Sequence, residues 1–374
     1  MSIIIGADIV PTERNSSYFE KENIEYLVGS DLIQIFKDTD YRVFNLETPL
    51  TNDVAPIDKC GPALRADCST ILGIKKLGVD LFTLANNHIM DQGETGLTST
   101  IDLLKKNEIS YLGAGENLEQ ARKPFVKNIK GKRIGFYACA EHEFSIASEN
   151  NAGGNPFDAL ESFDHVVALK AECDFVVVLY HGGKEYYQYP SPMLQKVCRK
   201  FVEKGADLVV CQHSHCIGCE EKYAEGTIVY GQGNFLFDDC VNPFAEHSLL
   251  IKIEDDFSIN YLPLVKFENG VRLATGDDAE KIIDAFKIRS EQIKEDGFIL
   301  KEFAKFAPSM LQNYLIVCSG FRHRIICRIL NRLTHGRIVK KLTSAYSKDE
   351  LLALRNFIEC EAHRELWIEG LLKK

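Results

Sequence analysis

The sequence predicts an α/β fold. Three observations carry the prediction. Short β-rich apolar runs recur along residues 2–265, segments of helical periodicity lie between them, and each run ends at its carboxyl side in a polar or metal-capable residue. Strand–helix alternation is the pattern of sheets covered by helices, and ligand sites of such sheets lie beyond the carboxyl ends of the strands.

The runs come in order. SIIIGAD (2–8) ends at Asp8, and YRVFNLE (41–47) ends at Glu47. GVDLFTLANNH (78–88) ends in two amides and His88, and CDFVVVLYHGG (173–183) carries His181. GADLVVCQHSH (205–215) ends in His213 and His215, and GTIVYGQGNFLFD (226–238) reads as one further strand containing Asn234. Each is a buried-strand pattern. Between them, 69–78 places Ile71, Leu72, Ile74 and Leu77 at helical spacing, and 96–109 does so with Leu97, Ile101, Leu103 and Leu104. The segment 191–205 has Pro192 in its first turn and Gly205 after its end. Past residue 267 the pattern becomes amphipathic helix, which predicts a core domain over 1–267 and a helical extension over 268–374.

Composition bounds the function. The 374 residues are 45% hydrophobic and 26% charged, as in an ordinary globular chain, and the net charge of −10 argues against a nucleic-acid partner. No window approaches the roughly 18 apolar residues of a membrane span. The N-terminal apolar run is too short for a signal peptide, and the first strand leaves no room for an anchor before it. The twelve cysteines show no framework spacing and fit reduced thiols. A cytoplasmic setting is the expectation; the oligomeric state is not legible.

The strand ends form a constellation. In an extended strand His213 and His215 share a face with Cys211, while Cys216 points away. Cys216 and Cys219 make a single C-x-x-C pair with no second pair for a structural zinc site. Asp8, Glu47, Asn87, His88 and His181 fall at equivalent strand-terminal positions. Oxygen and imidazole ligands without thiolate suit Mn²⁺, Fe²⁺, Zn²⁺ or Mg²⁺. So many ligands, with a carboxylate able to bridge, point to two divalent ions.

The motifs GAD (6–8), NLETPL (45–50), LANNHIMDQGETGLTST (84–100), YLGAG (111–115), HGGKEY (181–186), GADLVVCQHSH (205–215) and YGQGNFLFD (230–238) occur in order. Together they resemble the CapA family, named for poly-γ-glutamate capsule biosynthesis, which looks like a branch of the calcineurin-like metallophosphoesterases. The resemblance covers about residues 2–265. It implies a four-layer α/β/β/α sandwich. It also implies that Asp8 and His215 ligate a first metal, that Asn87, His181 and His213 ligate a second, and that Glu47 bridges them. His88 becomes the general acid, with Asn86 keeping the backbone turned toward the cavity. Glu185 and Tyr186 line the substrate cleft or fix His181. Arg65, in ALRAD, either holds an anionic substrate group or serves as a surface ion-pair partner, and Asn234 either contacts substrate or shapes its loop. Metallophosphoesterases usually begin D-x-H, where this chain has Val10, and carry aspartate where it has Glu47.

The implied function is metal-dependent hydrolysis, by a hydroxide held between two ions, of a phosphoester or another anionic, envelope-related substrate. A γ-glutamyl amide hydrolase or capsule-biosynthesis factor, and a non-catalytic binding module, are the alternatives. Residues 321–341 carry Arg322, Arg324, Arg328, Arg332, Arg337, Lys340 and Lys341 without an acid. Read as one amphipathic helix, they offer either a peripheral contact with an anionic membrane or a solvated basic face.

Overall fold

The computed structural model describes residues 1–238, 242–319 and 325–373, the side chains of 325–328 excepted. In chain order the strands are β1 (Ile3–Ile9), β2 (Tyr41–Leu46), β3 (Leu81–Thr83), β4 (Ser110–Leu112), β5 (Ala114–Gly115), β6 (Phe125–Ile129), β7 (Lys132–Ala140) and β8 (Gly153–Gly154). They continue with β9 (Phe175–His181), β10 (Leu208–Gln212), β11 (Glu220–Tyr223), β12 (Gly226–Tyr230), β13 (Asn234–Leu236), β14 (His247–Ile253), β15 (Ile259–Phe267) and β16 (Gly270–Leu273).

Two mixed sheets result. One has the order β16-β15-β14-β1-β2-β3-β4, with β13 also on β1; the other has the order β11-β12-β10-β9-β7-β6. Side-chain alternation separates the layers. Ile3, Ile5 and Val43 of the first sheet join Val177, Leu179 and Val210 of the second in one core between the sheets. Ile4, Phe44 and Phe82 point the other way, against Leu32, Ile74 and Leu104 from the helices Ile24–Lys37, Ile71–Leu77 and Gly93–Lys106. On the second sheet Val176, Val178 and Val209 meet Val166, Cys198 and Phe201 from the helices Ser162–Lys170 and Pro192–Glu203. This is the α/β/β/α sandwich.

Two local devices shape the carboxyl edge. In β1 the register against β2 shifts between Ile5 and Asp8. After that bulge Ala7 and Ile9 belong to the outer core, so Asp8 takes the inner side. Gly6 is required there, because a Cβ would lie 1.9 Å from Phe44 Cε1. The second device corrects the reading of 226–238 as one strand. The chain leaves the second sheet at Tyr230 and joins the first at Asn234. Gly231 (φ 123°) and Gly233 (φ 79°) turn it, and Gln232 Nε2 donates to Ile5 O (2.9 Å) and Leu249 O (3.2 Å) on the receiving sheet.

The first compact unit runs from Met1 to Ile299, and the second from Leu300 to Lys374. The first unit thus continues past residue 267, where the sequence pattern turns helical. β16 pairs with β15, and the helix Gly276–Gln292 buries Ile282 and Phe286 with Ile217 and Leu249. The second unit is helical, with Phe298–Cys318 running into it and Lys348–Glu359 begun by a capping box at Ser347 and Glu350. The basic stretch is not one helix. Arg322 and Arg324 lie outside the described residues, as does the side chain of Arg328. Ile325–Leu333 and Arg337–Thr343 are separate helices, parted at Gly336 in left-handed conformation. No helix among the described residues is long and apolar enough to cross a membrane.

Candidate metal centre

The candidate ligands collect where the inner faces of both sheets end. Parity explains most of them. Tyr41 and Val43 of β2 face inward, and Asn45 and Glu47 continue their row; Phe175, Val177 and Leu179 of β9 face inward, and His181 continues theirs. His213 and His215 do not arrive as a strand pair. β10 stops at Gln212, and both histidines have left-handed backbone (φ 84° and 52°). Strand alternation therefore fails beyond Gln212. Cys211 belongs to the outer core, its Sγ 3.5 Å from that of Cys198, and does not share the histidines' side.

Three metal-capable atoms converge around His181 Nε2. It lies 3.0 Å from Asn87 Oδ1, 3.1 Å from His213 Nδ1 and 3.3 Å from Glu47 Oε1. Ligand atoms of Glu47, His213 and His215 all lie within 4.8 Å of one another. Next to them, Asp8 Oδ2 is 3.6 Å from His215 Nδ1, which is also 2.8 Å from Asn234 Oδ1. Asn45 Nδ2 donates to Asp8 Oδ1 at 2.8 Å.

The electrostatics are those of a site built for charge. Burial opposes ionisation of Glu47, yet His181, His215 and His88 outweigh it and hold the carboxyl well below its usual range. Asp8 is pushed up, by burial first and then by the charge of Glu47. Burial, with His181 and His215 beside it, drives His213 well below the ordinary histidine value, so its imidazole is neutral and its ring nitrogen fit for a metal.

A second network holds His88. Its backbone N–H donates to Asn86 Oδ1 (3.1 Å), while Asn86 Nδ2 donates to Asn45 Oδ1 (3.0 Å) and Leu46 O (2.8 Å). His88 Nδ1 lies 2.6 Å from Asp91 Oδ2; a carboxylate only accepts, so Nδ1 carries the proton. Lys59 Nζ donates to the other Asp91 oxygen at 2.5 Å and to Asn87 O at 3.0 Å. Both Lys59 and Asp91 are buried.

Asp8, Glu47, Asn87, His181, His213 and His215 are thus brought together, with Asn86 and His88 beside them. Asn234 reaches the cluster through His215. Tyr186 reaches it too, its N–H donating to Ser214 O (2.7 Å) and its ring 5.9 Å from that of His215. Arg65 and Glu185 do not. Arg65 is exposed and donates to Thr51 O (3.1 Å), and Glu185 is exposed beside Lys184 Nζ at 3.7 Å. Sequence reading misses three residues. Asp91 stands three residues after His88 inside a quoted motif; Lys59 and Glu143 carry no pattern. Glu143 Oε2 accepts from Asn87 Nδ2 (3.1 Å), which leaves Asn87 Oδ1 toward His181.

The residues fit a metal. Both oxygens of Glu47 and Oδ2 of Asp8 are buried without a hydrogen bond. Such orphaned carboxylate oxygens cost several kcal/mol each unless a cation meets them. Imidazole nitrogens and an amide oxygen facing them complete an N/O donor set. Val10, buried in place of a histidine, offers no ligand atom.

Known proteins are similar to this chain in sequence, and solved structures align with it. The family model described as "Bacterial capsule synthesis protein PGA_cap" matches residues 2–239. The "Capsule biosynthesis protein CapA" of Bacillus anthracis is 33% identical over 211 residues, 54% of this chain and 51% of that protein. The "PGA biosynthesis protein CapA" of Bacillus subtilis (strain 168) is 30% identical over 246 residues, 63% of this chain and 64% of that protein. The chain thus spans between half and two thirds of the length of these relatives. Among solved structures, a novel phosphatase from Mycoplasma pneumoniae aligns at 14% identity over 72% of this chain and 94% of its own, TM-score 0.44. A 5'-nucleotidase precursor from Thermus thermophilus aligns at 14% identity over 76% and 58%, TM-score 0.42. With a match that runs through every strand of the centre, the chain belongs to the PGA_cap family of bacterial capsule synthesis proteins.

Proposed function

We propose that this chain is a metal-dependent hydrolase that holds two divalent cations between its sheets and acts on an anionic substrate, a phosphoester first. The observation that carries the reading is Glu47, fully buried, ionised by surrounding histidines and without a hydrogen bond to either oxygen. Asp8 and His215 would hold one ion, Asn87, His181 and His213 the other, and Glu47 both. Such ions supply Lewis-acid charge and make water more acidic, toward a pKa of about 7 in favourable sites. Asp91 keeps the Nδ1 proton of His88, so proton exchange runs through Nε2: the imidazolium would give its Nε2 proton to the leaving group and remain as the neutral Nδ1–H ring. Lys59 holds Asp91 in place, and Asn86 fixes the backbone from which His88 projects. Tyr186 and Asn234 border the substrate. A cytoplasmic setting accords with the described cysteines, all free thiols.

A second reading keeps the site and changes the bond. The names of both Bacillus relatives point to capsule or PGA biosynthesis, which favours a γ-glutamyl amide as the bond cleaved. The deciding experiment is elemental analysis of the purified chain, paired with turnover of p-nitrophenyl phosphate, bis-(p-nitrophenyl) phosphate and a γ-glutamyl amide across added Mn²⁺, Mg²⁺ and Zn²⁺. Metal-dependent release of nitrophenol supports the first reading, and glutamate release without it supports the second. Failure to retain metal, with no turnover after reconstitution, rejects both and leaves a binding module.

A further inference from the structure

The helix Gly276–Gln292 borders a cavity of about 280 Å³ with Ile217, Pro243 and Phe244. None of the metal-centre residues lines it, and it lies partly beyond the family match. From the helix, Ile282, Ala285 and Arg289 face it. Arg289 Nε donates to Gly218 O at 2.7 Å, which fastens the helix to the loop that follows His215. That bond uses one of the five N–H donors of a guanidinium. Among the described residues the Nη nitrogens have no hydrogen bond and no ion pair.

Arg289 is therefore a half-buried cation that meets no carboxylate among the described residues. Burial pushes its guanidinium down from the usual value, and the groups that oppose the shift are Cys219, Tyr189 and Cys216, none of them a carboxylate. Asp278 also borders the cavity, but it is exposed and faces Lys281 on its own helix at 3.9 Å. Arg289 thus lines the cavity with donors that its bond to Gly218 does not use.

We propose that this cavity is a binding site for a small organic carboxylate. The Nη edge of Arg289 takes the carboxylate in the two-pronged geometry that guanidinium favours. The hydrocarbon body lies against Phe244, Ile217 and Ile282. The volume approaches the lower end of small-molecule sites, about 300 Å³. A bare phosphate would leave the apolar walls uncovered, which is why an organic acid is the better occupant. The proposal does not depend on which bond the metal centre cleaves.

The test is titration calorimetry of the full chain as purified, with glutarate as probe and inorganic phosphate as control. One glutarate per chain is expected, with phosphate binding more weakly. Arg289→Gln should weaken glutarate about tenfold or more, the worth of one or two charge-assisted hydrogen bonds. Ala285→Phe, which fills the cavity and leaves the Arg289–Gly218 bond intact, should do the same. His213→Ala, which disables the metal centre, should leave glutarate binding unchanged. Absence of binding at millimolar glutarate, tighter binding of phosphate, survival of binding in Ala285→Phe, or its loss in His213→Ala would each overturn the proposal.

Discussion

Glu47 Oε1 and His181 Nε2 lie 3.3 Å apart, both buried, one delivered by each sheet. No hydrogen bond satisfies either Glu47 oxygen. The two sheets therefore meet, at their carboxyl edges, around a charge that the protein alone does not neutralise by hydrogen bonding.

Metal retention should depend on this pair. Elemental analysis is expected to find close to two divalent ions per chain, and substantially less in Glu47→Ala and His181→Ala. A chelator should lower the melting temperature of the wild type, since binding at a hundred times Kd contributes about 2.7 kcal/mol. Unchanged metal content in both variants would remove the assignment.

His88→Gln should separate chemistry from metal binding. Its Nδ1 is committed to Asp91 at 2.6 Å, which leaves Nε2 for the proton transfer proposed above. Turnover of the responsive ester should fall by about 10²–10⁴-fold, while metal content stays at the wild-type level. Loss of metal in this variant would instead make His88 a ligand.

Lys59 and Asp91 should be energetically coupled. Lys59→Met leaves Asp91 a buried carboxylate held only on its Oδ2 side, by His88 and the Leu64 N–H. The cost should be about 3–5 kcal/mol in denaturant unfolding, as when one partner of a buried pair is removed. Lys59→Met combined with Asp91→Asn should recover part of that loss. Simple additivity of the two single variants would show that the pair does not act as a unit.

Gly6→Ala should be costly despite its small size. The added methyl would meet the Phe44 ring at 1.9 Å. Overpacking of this kind costs about 1–3 kcal/mol, and Phe44→Leu in the same chain should relieve some of it. Because Asp8 leaves the same bulge, the single variant should also retain less metal. A wild-type melting curve for Gly6→Ala would mean that the strand moves aside freely.

Cys211→Ser should leave metal content unchanged. The thiol is packed against Cys198 in the outer core, away from the histidines that follow it. A fall in metal content would place its sulfur in the centre after all.

Legibility in the sequence follows periodicity. Glu47 and His181 are readable because each continues an alternating row whose inner members are large aliphatic or aromatic residues. Asp8 is readable as a strand-terminal acid, although the bulge that turns it inward is not. The helices over Ile71–Leu77, Gly93–Lys106 and Pro192–Glu203 carry their own signals, such as Ser191, whose side chain caps the last of these by accepting from Leu194 N (3.1 Å). The shared face expected for Cys211 and His213 fails because alternation holds only while the backbone stays extended, and His213 is left-handed. Lys59 is invisible for another reason. It lies in a loop with no period, and its meaning comes entirely from Asp91, a residue distant in sequence.

What the sequence determined by itself was the inventory: an α/β fold, a set of N and O ligands at strand ends, and motifs specific enough to resemble one family. Local preference and hydrophobic period suffice for that, because each is written within a few neighbouring residues. The tertiary structure decided which of those side chains meet. It excluded Arg65 and Glu185 from the cluster, admitted Lys59, Asp91 and Glu143, and carried the chain from one sheet to the other at Gly231–Gly233. Those outcomes depend on bulges, left-handed residues and contacts between distant segments, whose geometry is settled only when both sheets close on their common core.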